Sequence, residues 1–125
     1  MAFSHAEIKI SNLRLRTYIG FNPQEREKQQ DVVINIDIHY PPSASCRADT
    51  VDDALNYKTL TKQIISHVEQ GRFLLLERLV SELLAICVEA PQVSFARVTI
   101  DKPHALRFAD SVSVTQSWQR SADEE

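Results

Sequence analysis

Three polar side chains stand at positions where chemistry could use them. Tyr57 follows Ala54-Leu55-Asn56 at the start of a helical stretch, Glu77 opens another after Leu74-Leu75-Leu76, and Lys102 precedes Pro103 at a strand end, where it could project into a cleft. Phenol, carboxylate and ammonium groups bind polar ligands and move protons. Each also has a plainer reading. A carboxylate in the first turn of a helix is favoured by the helix dipole, a lysine at a strand end is ordinarily a surface cation, and a tyrosine can pack its ring and leave its hydroxyl in water. The loop Gly20–Glu27 and the segments Asp52–Tyr57 and Asp101–His104 complete the polar clusters. Arg14, Arg16, His104 and Arg107 are cations near strand ends or on a polar face. Arginine forks suit phosphate oxygens, although each could equally be a solvated or ion-paired surface residue.

The elements that must position these groups are set by hydrophobic period. Asp31–Tyr40 alternates, with Val32, Ile34, Ile36, Ile38 and Tyr40 on one face and Asp31, Asn35, Asp37 and His39 on the other; this is a half-buried strand. Upstream, Ile8 and Ile10 share one parity while Leu13, Leu15 and Ile19 share the opposite one. The slip at Ser11-Asn12 predicts a long strand with a bulge or bend. Val93–Asp101 and Ser111–Gln119 give two further strands. Between them, Thr59–Gln70 and Leu75–Glu89 carry apolar stripes at the 3.6-residue period. Gly71 fits a helix C-cap or the tight link of a helical pair, and Pro91 stops the second helix.

The expected plan is α+β: ββααββ, a four-stranded antiparallel sheet with two helices on one face. Such a sheet has two edges that invite pairing with other chains. Its uncovered face would carry Arg14, Arg16, Asn35, Asp37, His39, Arg97, Thr99, Ser113 and Thr115. That face is either solvated or, if edges join subunits, the lining of a closed barrel.

Composition narrows the function classes. The 125 residues are 43% hydrophobic and 25% charged, with net charge −3 and only two glycines. One domain over residues 1–120 is expected, with an acidic tail over 121–125. A glycine-rich phosphate cradle needs several glycines close together, and Gly20 and Gly71 stand apart. The charge gives no footprint for nucleic acid. No stretch approaches the roughly 20 apolar residues that span a bilayer, and residues 1–10 lack the layout of a secretory signal. A cytoplasmic location is therefore expected. Cys87 reads as a small buried hydrophobe and Cys46 as a loop residue, with no disulfide expected. His5, His39, His67 and His104 have no metal-ligand spacing, so no metal site is expected.

Taken together, the clusters resemble the dihydroneopterin aldolase and epimerase family, from about Ile8 to Trp118. The residues carrying the resemblance are Tyr18-Ile19-Gly20 with Glu25, Asp31–Ile36, Ala54–Tyr57, Leu75–Leu79 and Asp101-Lys102-Pro103. Asn12–Thr17, Ile38–Pro41 and His104–Ser113 look like the epimerase branch of that family. The resemblance implies a tunnelling fold (T-fold), with barrelled tetramers stacked into a homo-octamer and active sites between neighbouring subunits. It implies that Glu77 anchors a pterin ring, that the Leu76 backbone and Leu55 contact it, and that Lys102, Tyr57 and Glu25 serve catalysis. It also implies reversible aldol cleavage of a dihydroneopterin side chain without a cofactor, because the protonated N5=C6 of the substrate is its own electron sink. Re-addition would give epimerisation at C2′ of the triphosphate, and escape of the aldehyde would give the aldolase outcome. Arg14, Arg16, His104 and Arg107 would be available for the triphosphate. A catalytically idle oligomeric pterin-binding module is the alternative of another class.

Overall fold

The computed structural model describes residues 5–41, 49 and 54–121. Cys46, Asp52-Asp53, most of the loop after Pro41 and the acidic end of the chain lie outside these residues. Among them the chain forms β1 (Ala6–Ile19), β2 (Gln30–Tyr40), α1 (Tyr57–Glu69), β3 (Arg72–Phe73), α2 (Leu76–Cys87), β4 (Phe95–Pro103) and β5 (Ser111–Gln119). The sheet order is β3-β1-β2-β4-β5. The four long strands pair antiparallel as their alternation predicts. The slip in β1 is real: its register with β2 shifts between Ile10 and Leu13. Asn12 there has φ 56°, and its N–H donates to Asn35 Oδ1 at 2.9 Å.

One face of the sheet is sealed. Val32, Ile34, Ile36, Ile38, Ala96, Val98 and Ile100 are buried together with Ile64 and Val68 of α1 and Leu79, Val80, Leu83 and Cys87 of α2. Each such aliphatic side chain contributes roughly 1.5–3 kcal/mol on removal from water. The opposite face is polar. Thr99 and Thr115 share a 2.7 Å hydrogen bond there, and Lys9 faces Asp37 at 3.9 Å. Among the described residues no helix is long and apolar enough to cross a membrane.

The structure adjusts the element ends for local reasons. α1 starts two residues before the expected Thr59, because Asn56 Oδ1 accepts from the N–H groups of Lys58 and Thr59, both at 3.1 Å; this side-chain cap satisfies two otherwise orphaned donors. α2 is shorter than expected at both ends. β4 runs on to Pro103, so Lys102 lies within a strand rather than beyond one.

The largest difference is β3, which adds a fifth strand. Two residues cannot display a period, so the sequence pattern does not reveal it. Tyr18 pairs with Arg72 and Ile19 with Phe73 in parallel register, and Gly20 N–H donates to Phe73 O at 2.9 Å. Gly71 is the link before this strand, whereas the helix C-cap is Gln70. A Cβ on Gly71 would collide with the Phe73 ring and lie 3.0 Å from His67 O.

Thr17, the buried polar residue of β1, ties this corner together. Its Oγ1 donates to Val68 O at 2.6 Å and lies 3.3 Å from Gly71 O. Replacing Thr17 with valine keeps the shape and removes the donor to a buried carbonyl. Urea unfolding should show a loss of about 1–2 kcal/mol.

Candidate active site

Lys102 has the parity of Ala96, Val98 and Ile100 along β4, so its side chain enters on the helix-covered face, at the rim of the core. An ammonium there needs a counter-charge, since burying it unpaired is costly. Glu25 supplies it: Lys102 Nζ donates to Glu25 Oε2 at 2.7 Å, with 13% and 23% of the two side chains exposed.

The loop after β1 is built to deliver that carboxylate. Asn22 Oδ1 accepts from Glu25 N–H at 2.9 Å, and Asn22 O accepts from Arg26 N–H at 3.2 Å. Gln30 Nε2 donates to Ile19 O at 2.6 Å and to Glu25 Oε2 at 3.4 Å. Gly20 has φ 134°, and a Cβ there would collide with the Glu25 carboxylate. The hydrogen bond from Lys102 holds the Glu25 carboxyl below its ordinary value of 4.5, against the upward push of burial; the charge of Lys102, the Gln30 amide and the backbone of Asn22 also lower it.

β3 brings the second half of the site. Its pairing with β1 sets Leu74–Glu77 beside the Gly20 loop, and Glu77 falls in the first turn of α2. Leu75, the N-cap residue, makes no side-chain cap bond. Gln116 Nε2 donates to Glu77 O at 3.2 Å, fixing this turn to β5. Glu25, Lys102, Glu77, Leu76 and Phe21 line one cleft of about 240 Å³, with Ala105 at its border. A larger hollow of about 440 Å³ beside Tyr18, Arg26 and Arg72 shares Gly20 and Leu74 with it but holds neither Lys102 nor Glu77.

The other candidates fall elsewhere. Tyr57 is 54% exposed at the start of α1, and the buried Leu55 lines a different hollow with Thr59, Ile86 and Cys87. Neither lines the Lys102 cleft of its own chain. Arg14 and Arg16 are exposed on the face of β1 opposite Leu13, Leu15 and Thr17, so within one chain they point away from the cleft. Arg16 is engaged with Asp31 at 3.4 Å and Gln29 O at 3.0 Å. His104 and Arg107 sit in the exposed β4–β5 connection that contributes Ala105 to the cleft. His104 has φ 63°, and its N–H donates to Asp110 O at 3.2 Å. His39 lies at the Glu7 end of the sheet, 3.0 Å from that carboxylate and stacked on His5, while His67 faces Glu82 at 3.3 Å. Gln30 and Phe21 have no sequence signal of their own, apart from their nearness to Glu25.

A curled sheet backed by two helices on one face, with a carboxylate and a lysine–glutamate pair converging at its rim, has the architecture of a T-fold subunit, and comparison with known proteins agrees. The family model described as dihydroneopterin aldolase matches residues 8–117; the chain belongs to that family. It is 54% identical over 120 residues to the dihydroneopterin triphosphate 2′-epimerase of Escherichia coli strain K12, covering 96% of this chain and 100% of that protein. It is 50% identical over 115 residues to the Pseudomonas aeruginosa protein of the same name, covering 92% and 94%. The crystal structure of E. coli dihydroneopterin aldolase in complex with neopterin superposes with a TM-score of 0.85 at 27% identity, over 90% of this chain and 98% of that one. The fold is thus the tunnelling fold expected from the sequence, with β3 added.

Two measurements test this geometry. Gly20→Ala should displace the Glu25 carboxylate and lower turnover while far-ultraviolet circular dichroism stays unchanged. Because the folded-state value of Glu25 is depressed, its contribution to stability is full above the ordinary value of 4.5 and fades as pH falls through the depressed one. The stability difference between the unaltered protein and Glu25→Gln should therefore shrink as pH is lowered from about 6 to about 3.

Proposed function

We propose that the chain is a dihydroneopterin triphosphate 2′-epimerase, converting 7,8-dihydroneopterin triphosphate to the monapterin epimer. The observation that carries this is the near full-length identity of 54% to a protein of that name, in a chain whose cleft joins Glu77 to the Glu25–Lys102 pair.

The ring is read at its edge. A pterin offers two adjacent donors, N3–H and the 2-amino group, beside an acceptor, O4. The Glu77 carboxylate accepts the two donors, and the backbone N–H of Leu76, at a helix start without a side-chain cap, is suited to the carbonyl. With the ring so held, the side chain reaches Lys102. Proton movement at the C2′ oxygen belongs to Lys102, directly or through water, and the Glu25 carboxylate 2.7 Å away orients its ammonium. Loss of the hydroxyl proton lets the C1′–C2′ bond break, its electron pair passing into the protonated N5=C6 of the ring. Re-addition to the other face of the aldehyde inverts C2′ and returns the proton.

Tyr57 assists from a neighbouring subunit in this reading, since in its own chain it is remote from the cleft. The open edges at β3 and β5 suit assembly into barrelled tetramers stacked as a homo-octamer, in the cytoplasm. Leu55 would reach the ring in the same way, through backbone. His104 and Arg107, in the connection beside the cleft, are the cations best placed for the triphosphate; Arg14 and Arg16 would act only on a ligand reached across the subunit boundary. A second reading, aldolase release of glycolaldehyde, is favoured by the likeness to the solved aldolase.

Incubation with 7,8-dihydroneopterin triphosphate and chromatography of the products separates these readings. A monapterin-type product supports the epimerase, 6-hydroxymethyl-dihydropterin the aldolase, and ring binding without turnover an idle binding module. Lys102→Ala should lose roughly 10²–10⁴-fold in turnover while keeping its affinity for neopterin; full turnover in that variant would remove Lys102 from the mechanism. Arg107→Ala should weaken turnover of the triphosphate more than that of unphosphorylated dihydroneopterin, and equal losses would count against its assignment.

A further inference from the structure

Phe21 contributes little to the packing of its own chain. Its side chain is 70% exposed, although the backbone on both sides is held: Gly20 N–H donates to Phe73 O at 2.9 Å, and Asn22 Oδ1 accepts from Glu25 N–H at 2.9 Å. A large aromatic ring displayed to water on a pinned turn does not stabilise the subunit in which it sits. What it does border is the cleft lined by Glu25, Leu76, Glu77 and Lys102.

Those polar groups recognise an edge and a side chain, and they leave the faces of a planar ligand unaccounted for. A flat heteroaromatic ring gains most of its contact area through its faces, and aromatic side chains supply such area at small cost in rotamer freedom. The geometry points to Phe21 as a ring-stacking residue of this cleft: its phenyl group lies against one face of a planar nitrogen heterocycle whose donor edge is held by Glu77. This rests on the pterin reading and adds to it a determinant of ring affinity that is separate from proton transfer and from phosphate recognition. Because the phenyl group touches only the ring, its contribution is the same with and without the triphosphate.

The test is calorimetric titration of the full-length protein with neopterin, comparing the unaltered chain, Phe21→Ala and Phe21→Trp, with oligomeric size and melting temperature measured alongside. Phe21→Ala should bind roughly tenfold more weakly, with size and melting temperature unchanged, and Phe21→Trp should restore the affinity. In turnover, Phe21→Ala should raise KM by the same factor for the triphosphate and for unphosphorylated dihydroneopterin. Unchanged neopterin affinity in Phe21→Ala overturns the inference alone. Weaker binding accompanied by dissociation of the assembly also overturns it, because Phe21 would then be an intersubunit contact. An unaltered protein that does not bind neopterin overturns the pterin reading and this inference with it.

Discussion

A cation on the apolar face of the sheet is the constraint around which the site is organised. Lys102 continues the row of Ala96, Val98 and Ile100, and covering that row excludes water from around its stem. The ammonium then requires a carboxylate at hydrogen-bond distance, which Glu25 provides at 2.7 Å. The requirement propagates backwards along the chain. The carboxylate reaches Lys102 only if the backbone at residue 20 has no Cβ and turns through φ 134°. It keeps its orientation because Asn22 and Gln30 hold the loop and the carboxylate. A lysine that a sheet edge would leave free in water is here part of a fixed ion pair.

The short parallel strand β3 is the second requirement. Without the pairing of Tyr18 and Ile19 with Arg72 and Phe73, nothing in the two-helix layer would bring the start of α2 to the Gly20 loop. Thr17 secures the same corner from below by donating to the last turn of α1. The outcome is a cleft that holds the Glu77 carboxylate and the Glu25–Lys102 ion pair together in largely apolar surface. Tyr57 and Leu55 stand at the other end of α1, away from this cleft, and the sheet ends on β3 and β5.

Much of this was legible in the residues. Alternation in Asp31–Tyr40 placed the core face of β2, the phase slip at Ser11-Asn12 located the bulge, and two helical stripes located the covering layer. The same alternation already opposed Arg14 and Arg16 to Leu13 and Leu15, hence to the face that carries Lys102. That parity sets them apart from His104 and Arg107, which lie in the β4–β5 connection beside the cleft. Other features left no such trace. β3 is too short for a period, the hydrogen bonds of Thr17 span 51 and 54 positions, and Gln30 resembles any polar residue at the start of a strand. Phe21 reads as one more apolar residue until its exposure is known.

The sequence by itself determined the layers, the strand faces and the residue types available for chemistry, because hydrophobic period and local capping act over a few neighbouring residues. It also carried, through its motifs, the family to which the chain belongs. Only the tertiary structure decided which of those residues meet. Glu25 and Lys102 are 77 positions apart, and their contact depends on a glycine with left-handed backbone, a two-residue strand and the rim of a buried face coinciding in space. Distances of that kind follow from how separate elements pack, which no local pattern of residue types encodes.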